Sequence, residues 1–497
     1  MLLSEAMRAL PDMIREAVSP QGAAGDVELL GITADSRRVA PGWLFAALPG
    51  ARSDSRGFIA EAVARGAAAV LAPEGTAWPA GVPPRPLIAD PQPRRRLAQL
   101  AAALAGPQPA TIVAVTGTNG KTSTVEFLRQ IWSLAGRPAA SLGTLGLNAP
   151  NGGRWGVAAG PGLTTPDPVA LAEILARLRA AGVQHAAMEA SSHGLDQFRL
   201  DGVRLAGGGF SNLSRDHLDY HGTEAAYRAA KLRLFDTLLP PGAPAVASSG
   251  IDPTTLAALR DIAARRRLDL RLSGEGGDII RLLRVEPRPD GQVLEIEAGA
   301  ARRSIALPLP GRFQADNVLL AAALALALGE TGALDLLWRL QGVRGRMELA
   351  ARLSNGAAVY VDYAHTPDAL ERLLTALRPH TVGRLHIVFG AGGDRDTGKR
   401  PLMGDAAARL ADRAIVTDDN PRSEDPAAIR AAVLAACPAA QEIGDREAAI
   451  AAGLDGLAAG DVLVIAGKGH EQGQAVAGAI IPFDDVAVVR RLAGSPG

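Results

Sequence analysis

"VAVTGTNGKTSTVEFLRQIW", Val113 to Trp132, decides the fold. A short apolar run ends at Thr116, a glycine-bearing turn follows, and a helix-forming stretch opens at Lys121. This is the layout of a phosphate-binding loop, G-x-x-x-x-G-K-[ST], with one departure: Val115 stands where the first glycine belongs. Gly117 and Gly120 let backbone N–H groups approach phosphate oxygens, and the following helix offers its positive N-terminus. Lys121 is then placed to reach the β- and γ-phosphates, and the Thr122 hydroxyl to ligate Mg²⁺. The segment Thr116-Gly117-Thr118-Asn119-Gly120-Lys121-Thr122 thus predicts ATP or GTP binding on a strand, loop and helix in that order.

Working outward, the chain of 497 residues exceeds what one hydrophobic core serves, so several domains are expected. Lys+Arg and Asp+Glu are both 52, for a formal net charge of +0, so no global field draws the chain to nucleic acid or an anionic membrane. The hydrophobic fraction is 47%, yet charged residues interrupt every apolar run before a membrane-spanning length, and acids break the N-terminal pattern where a signal peptide has none. Cys437 is the only cysteine, which excludes a disulfide framework and cysteine-based zinc sites. A cytoplasmic protein is expected.

Three regions are predicted: residues 1–107, 108–342 and 343–497. The first opens with the strand-and-turn stretch "ITADSRRVAPGWLFAALPG", continues through the helix-like "GFIAEAVARGAAAVLAP", and ends in the linker "AGPQPAT". The second alternates β-rich and helical periods, as in "VALAEILARLRAAG" followed by "VQHAAMEAS", and reads as a parallel sheet with crossover helices. The third repeats that rhythm, with strands expected at "AAVYVDY", "RLHIVFG", "RAIVTDD" and "VLVIAG". No internal repeat stands out. The fold class is α/β in three domains: an N-terminal α/β nucleotide domain, a central P-loop ATPase-like parallel sheet and a C-terminal Rossmann-like domain.

Nearly every unusual polar cluster follows a predicted strand: Thr116 to Thr122, Glu189 to His193, Asp394 to Arg400, Asp418 to Arg422, and Lys468 to Glu471. Ligands of open α/β sheets sit beyond the carboxyl ends of the strands, so these clusters are the candidate walls of a cleft. Glu189 is placed where an acid can hold Mg²⁺ opposite the P-loop threonine. His217 shares "SNLSRDHLDYHG" with Asp216, Asp219 and His221, a dense set of metal-capable side chains. Lys231, in "YRAAKLRLF", reads by itself as a surface helix lysine.

Taken together, "TGTNGKTS", "MEASSHGLDQFRL", "FSNLSRDHLDYHG", "YRAAKLRLF", "GRFQADNVLLAAALAL", "VRGRMELA", "VDYAHTPDAL", "FGAGGDRDTGKRPLM", "DDNPR" and "GKGHE" resemble the Mur ligase family, from "DSRRVAPGWLFAALPG" almost to the end of the chain. The missing first glycine is that family's form of the loop. The resemblance implies ATP-dependent amide-bond synthesis of peptidoglycan precursors. It is closest to the branch that joins meso-2,6-diaminopimelate to UDP-N-acetylmuramoyl-L-alanyl-D-glutamate, through an acyl phosphate. A monomer without nucleic-acid partner or membrane span is expected.

Residue by residue, the resemblance assigns Lys121, Glu189, His217 and Lys231 to catalysis, with Mg²⁺ held by Thr122, Glu189, His217 and a carbamylated Lys231. Asn317, Arg346 and Asp362 match positions that hold adenine and ribose. Gln314 replaces a usual asparagine. Ser36 and the segment Ala51, Arg52 and Ser53 match uridine-binding positions, although a turn cap is an open alternative for Ser36. Thr164, Thr165, Ser191, Gln197 and Arg199 match contacts to the muramoyl dipeptide. Arg395, Asp419, Asn420, Pro421, Arg422, Gly467 and Glu471 match the amino-acid pocket, and lysine-adding relatives lack arginine at the position of Arg422. Two other readings stay open: a related ligase such as folylpolyglutamate synthase, and a P-loop ATPase acting as a switch or scaffold with no small-molecule product.

Overall fold

The computed structural model describes residues 1–8, 26–50, 54–150 and 163–494. They form two compact units, Met1–Arg271 with Leu324–Thr331, and Leu272–Ala323 with Gly332–Gly497.

The first unit holds two sheets. Strands Gly31–Thr33, Trp43–Ala46, Ala69–Pro73 and Leu87–Asp90 pair in chain order, all parallel. Their core of Leu29, Leu44, Leu71, Ile88, Leu97 and Leu100 also takes Ala172, from the helix Pro168–Ala180 of the next region. The stretch expected to be helix-like from Gly57 is corrected here: only Ile59–Ala64 is α-helical, and Ala69–Pro73 is a buried strand. Gly66, at φ +96°, breaks the helix in a left-handed conformation, and the alanine and valine run beyond it suits a fully buried strand as well as a helix.

In the second sheet of this unit, strands Pro244–Ser248, Gly207–Phe210, Thr111–Thr116, His185–Glu189 and Ala139–Gly143 lie side by side and parallel, and Gly146–Asn148 closes the edge antiparallel. From Thr111–Thr116 the chain first builds toward one edge and then returns to add Gly207–Phe210 on the other side. The phosphate-loop strand is therefore the topological switch point, where ligands of such sheets bind. Helices return the chain to the amino ends of the strands through Gly136, Gly182 and Gly242, which have φ of +77°, +82° and +81° and open space around them.

The second unit carries an antiparallel meander, Ile280–Arg288, Gly291–Ala298 and Ala301–Leu307, and a six-stranded sheet. The order in that sheet is Glu348–Arg352, Ala358–Asp362, Val462–Ala466, Leu385–Phe389, Arg413–Val416 and Gln441–Glu442, parallel except for the first pair. Side-chain alternation divides its core between two faces: Tyr360, Ile387, Phe389 and Val464 on one, Val359, Val361, Val388, Leu463 and Ile465 on the other. The helix Pro367–Leu377 shows why the covering elements form. Thr366 caps its N-terminus through Ala369 N–H, Pro367 occupies the first turn, and Leu370, Leu373, Leu374 and Leu377 recur at helical spacing and are buried. Each such leucine contributes about 1.5–3 kcal/mol by leaving water. A hairpin, Gly473–Val476 with Ala479–Pro482, completes the unit.

Candidate active site

The phosphate loop is held by Ser211, Asn212 and Ser214, residues of "FSNLSRDHLDYHG" to which the sequence reading gave no role. Asn212 accepts Thr118 N–H on its carbonyl (2.8 Å) and Asn119 N–H on its side-chain oxygen (2.9 Å). Ser211 Oγ donates to Asn119 O (2.5 Å), and Thr118 Oγ1 bonds Ser214 O and the Tyr227 hydroxyl, each at 3.1 Å. Gly117, at φ +143°, has no room for a side chain, because a Cβ there would strike Ser211 Oγ. Gly120, at φ +83°, caps the helix Lys121–Leu134. Lys121 Nζ folds back onto Gly117 O (3.0 Å) and Thr118 O (2.9 Å).

Glu189 lies beside this loop by register: it ends its strand as the partner of Val115. It is 1% exposed, and it accepts Thr144 N–H at 2.7 Å and the Thr144 hydroxyl at 3.3 Å. Gly143 must be glycine, since a Cβ would meet the Glu189 carboxylate. From Glu189 a chain of bonds runs outward. Thr165 Oγ1 donates to Glu189 O (2.9 Å) and lies 3.0 Å from Ser191 Oγ. Arg199 donates to Thr165 O and to Gln197 Oε1, both at 2.7 Å, and Thr144 Oγ1 bonds Thr164 Oγ1 at 3.3 Å. The structure thus gathers Thr164, Thr165, Ser191, Gln197 and Arg199 into one network based on Glu189. Thr144 was missed, although "LGTLG" follows a strand end like every other cluster.

Lys231 is the residue whose sequence context misleads most. Its side chain is 1% exposed, with Nζ donating to Gly117 O at 2.6 Å and lying 4.5 Å from the centroid of the Tyr227 ring. Burial, and then the Lys121 charge, bring its pKa down to about 6. Both effects favour the uncharged amine over the ammonium. Arg233, on the same helix, bonds Leu195 O and the buried Asp201 carboxylate and fixes the helix in place. Tyr227, one turn before Lys231, was the available signal that this face points inward.

His217 takes a left-handed backbone (φ +50°) and stays half exposed, 3.5 Å from Asp216. Its ring lies 4.9 Å from that of His193, which also stacks near Tyr220 and His221. No hydrogen bond joins His217 to Glu189 among the described residues. Nor do three His, Cys, Asp or Glu side chains converge there as a metal cluster. The oxygen donors that fit a hard cation beside the loop are the buried Thr122 hydroxyl and the Glu189 carboxylate.

In the second unit, Asp362 accepts Met347 N–H (2.7 Å) and Ala364 N–H (2.8 Å), and its burial raises the carboxyl pKa against the pull of Arg346. The Arg346 guanidinium stacks 4.8 Å from the Tyr363 ring, whose other neighbours are His365 and His470. Burial and Arg346 hold His470 down at about 4. Gln314 Nε2 donates to Arg346 O at 3.2 Å, and Asn317 is buried one turn further along that helix. Gln314 therefore performs a structural bond, with its Oε1 left without a protein partner.

The amino-acid candidates converge at the carboxyl ends of neighbouring strands. Arg422, at φ +54°, donates to Gly393 O at 2.6 Å, and its backbone pairs with the hairpin through Ala475 O and Ala477 N–H. Asn420 Nδ2 donates to Glu471 Oε2 at 3.0 Å. Asp419 is buried, with its carboxyl pKa raised by that burial against Arg446 and Lys468. It faces Gly467, where a Cβ would strike it. Pro421 is buried beneath the GGDRD loop, and Arg395 is exposed on that loop.

Ser36 is 8% exposed, with Oγ 3.5 Å from Glu61. It is not the turn cap: Asp35 caps Ser36–Arg38 through Arg37 N–H. The same Asp-Ser-Arg turn recurs at Asp54, which caps Ser55–Phe58 through Arg56 N–H, a local repeat that the sequence reading did not notice. Ala51, Arg52 and Ser53 lie outside the described residues.

A phosphate loop at the switch point of one parallel sheet, an acid in register beside it, and a second parallel sheet bearing charged strand-end loops define a P-loop nucleotide enzyme of the open α/β class. Family models match over three segments: "Mur ligase family, catalytic domain" at residues 28–105, "Mur ligase middle domain" at 115–325, and "Mur ligase, glutamate ligase domain" at 345–469. A UDP-N-acetylmuramoyl-L-alanyl-D-glutamate–2,6-diaminopimelate ligase of Caulobacter vibrioides is 56% identical, covering 93% of this chain and 95% of the relative. Its namesake from Rhizobium meliloti is 52% identical over 95% of this chain and 96% of the relative. A solved structure of a ligase of that name is 34% identical, with a TM-score of 0.71, covering 94% of this chain and 95% of its own. The chain belongs to the Mur ligase family and has its three-domain α/β fold.

Proposed function

We propose that this chain is the ATP-dependent, ADP-forming ligase that joins meso-2,6-diaminopimelate to UDP-N-acetylmuramoyl-L-alanyl-D-glutamate, in the cytoplasmic synthesis of peptidoglycan precursors. The observation that carries the reading is the continuity from the phosphate loop to Glu189, and from Glu189 through Thr165 to Ser191 and Arg199. Phosphoryl transfer to a substrate carboxylate needs its acceptor oriented directly beside the nucleotide. The names of relatives above 50% identity supply the substrates.

A carboxylate is a poor electrophile, and its attack on a polyanionic nucleotide needs charge neutralised. Lys121 and the loop N–H groups act on the phosphates. Thr122 and Glu189 would hold Mg²⁺, with His217 and a carbamylated Lys231 as further candidate ligands, and the ion would supply further neutralisation. The γ-carboxylate of the D-glutamate becomes an acyl phosphate, an amino group of diaminopimelate attacks its carbonyl, and phosphate leaves. Thr164, Thr165, Ser191, Gln197 and Arg199 orient the dipeptide; Ser36, Ala51, Arg52 and Ser53 serve the uridine. Asn317, Arg346 and Asp362 serve adenine and ribose. Arg395, Asp419, Asn420, Pro421, Arg422, Gly467 and Glu471 receive the amino acid. Lys231, whose burial favours the neutral amine, can add its lone pair to CO₂ and release a proton, giving a carbamate that would serve as an anionic ligand.

Among the described residues no helix is long and apolar enough to cross a membrane. We expect a monomer, which light scattering checks. The activity is tested by phosphate release from ATP, crossed with several amino acids and with or without the nucleotide-linked dipeptide. Release only when the dipeptide and meso-diaminopimelate are both present supports the reading. Release with folates and glutamate, or with ATP alone, sinks it in favour of a related ligase or a switch ATPase.

A further inference from the structure

Lys468 is 0% exposed, in the turn between the strand Val462–Ala466 and the hairpin. Its ammonium donates to Asn420 Oδ1 at 3.1 Å and to Glu471 Oε2 at 3.3 Å. Asn420 Nδ2 donates to the same Glu471 oxygen at 3.0 Å, which closes a ring of three side chains. Asn420 Oδ1 also accepts Ala475 N–H at 2.9 Å. These bonds leave the amide one orientation. A flipped Asn420 would turn its NH₂ toward an ammonium and a backbone N–H, both of which are donors. Glu471 Oε2 is committed to the ring, whereas Oε1 has no partner among the described residues and the side chain is 35% exposed.

The buried arginine beside Asp419 is engaged elsewhere. Arg446 is fully buried and places two bonds on Asp485 (2.8 Å each) and one on Ala466 O (3.1 Å). Lys468 is thus the buried cation that bonds Glu471, and it also lies close enough to act on Asp419. A charge removed from water this completely needs its partners in fixed places, and here the partners are residues of the amino-acid pocket. Across the same loops, Arg422 is tied to Gly393 O.

We propose that Lys468 is a positioning residue for amino-acid selection. It locks the Asn420 amide and one Glu471 oxygen, so that Glu471 Oε1 is presented to an ammonium while Arg422 is presented to a carboxylate. The pocket then reads the end of an amino acid that carries both groups, and does so before the ligand arrives. This deepens the function proposed above and rests on it.

The test is Lys468→Met in the full chain, with steady-state constants for all three substrates. A second readout traps acyl phosphate with hydroxylamine, using ATP and the nucleotide-linked dipeptide without any amino acid. Loss of a buried charged hydrogen bond predicts a rise in the KM for meso-diaminopimelate of about tenfold or more. The KM values for ATP and the dipeptide, and the trapped hydroxamate, should stay within about twofold, a split that a purely structural role does not produce. Lys468→Arg, which keeps the charge, should recover part of the loss. If Lys468→Met does not fold, Lys468→Gln, which retains a donor for Asn420 but no charge, is measured for the same split. An unchanged KM for the amino acid, or a parallel fall in every constant and in hydroxamate, overturns the proposal. Wild-type chain assayed alongside separates the two failures: no turnover with meso-diaminopimelate sinks the function and this role together, whereas normal wild-type turnover with an unshifted variant sinks only the role of Lys468.

Discussion

At Lys231 the same burial that enables the chemistry costs stability. Its pKa is about 6 when folded and near the ordinary 10.5 when unfolded, so between those values the unfolded chain binds one more proton. Stability therefore rises with pH across this window, by at most about 1.4 kcal/mol per pH unit from this group. Lys231→Met should abolish ligation, raise the melting temperature at pH 7, and flatten the dependence of stability on pH between about 6 and 10. Scanning calorimetry in CO₂-stripped buffers measures this; a variant less stable than wild type with an unchanged slope contradicts it. At Arg422 the expectation concerns selectivity. A pocket cation facing the ammonium end of lysine is unpaired and repelled, whereas the second carboxylate of diaminopimelate satisfies it. Arg422→Ala should lower kcat/KM for meso-diaminopimelate about ten- to hundredfold without moving the KM for ATP. Equal wild-type rates with L-lysine would remove Arg422 as a discriminator. Lys121, Glu189 and Arg422 could be singled out in sequence because each follows a strand end or lies in a motif. Ser211 and Asn212 could not, because they bond backbone groups of the phosphate loop that only the strand order brings alongside; nor could Thr144, which meets the Glu189 carboxylate from the end of a neighbouring strand.

At the scale of elements, the hairpin deserves a test because it braces two residues of the proposed amino-acid pocket: Ala475 and Ala477 pair with the Arg422 backbone, and Ala475 N–H holds Asn420. Its two-residue turn, Ala477 and Gly478, has φ of +48° and +82°, the signs of a type I′ turn. Alanine is a poor residue at the first of these positions. Ala477→Asn should stabilise the hairpin by about 1 kcal/mol, slowing amide exchange at Ala475 about fivefold. Faster or unchanged exchange would show that the turn is not strained. The parallel strands of the second and third regions were readable as apolar runs closed by polar clusters. The strand Gly207–Phe210 was not, since three glycines carry no β signal. Packing explains them: side chains at Gly208 and Gly209 would crowd Leu239, Phe235, Leu324 and Val115. The helix-like stretch after Gly57 failed for the opposite reason, an apolar run that suits either period until Gly66 interrupts it.

For the whole molecule, the hydrophobic clusters bear on where the chain divides. Among the described residues, the buried hydrophobic clusters on both faces of the six-stranded sheet run from Met347 to Val489. The first sheet, by contrast, borrows Ala172 and Val169 from the helix that opens at Pro168. A fragment of residues 343–497 should therefore unfold as a single cooperative transition in urea, whereas residues 1–107 alone should be measurably less stable or unfolded. A C-terminal fragment that lacks a cooperative transition would overturn the proposed boundary at 343. That expected boundary rests on the strand-and-helix rhythm that begins again at "AAVYVDY". The reliance of the first domain on a later helix was not visible in sequence, because a contact between distant segments leaves no local pattern.

The glycine turns at 136, 182 and 242 sit at the amino rim of the central sheet, opposite the strand-end loops that carry the phosphate loop and Glu189. Five-residue strands such as His185–Glu189 put roughly 16 Å of backbone between the two rims. Fluorophores, affinity handles or surface tethers belong on that quiet rim. A tether attached beside Gly182 or Gly242 is expected to leave the strand-end loops of that sheet unmodified.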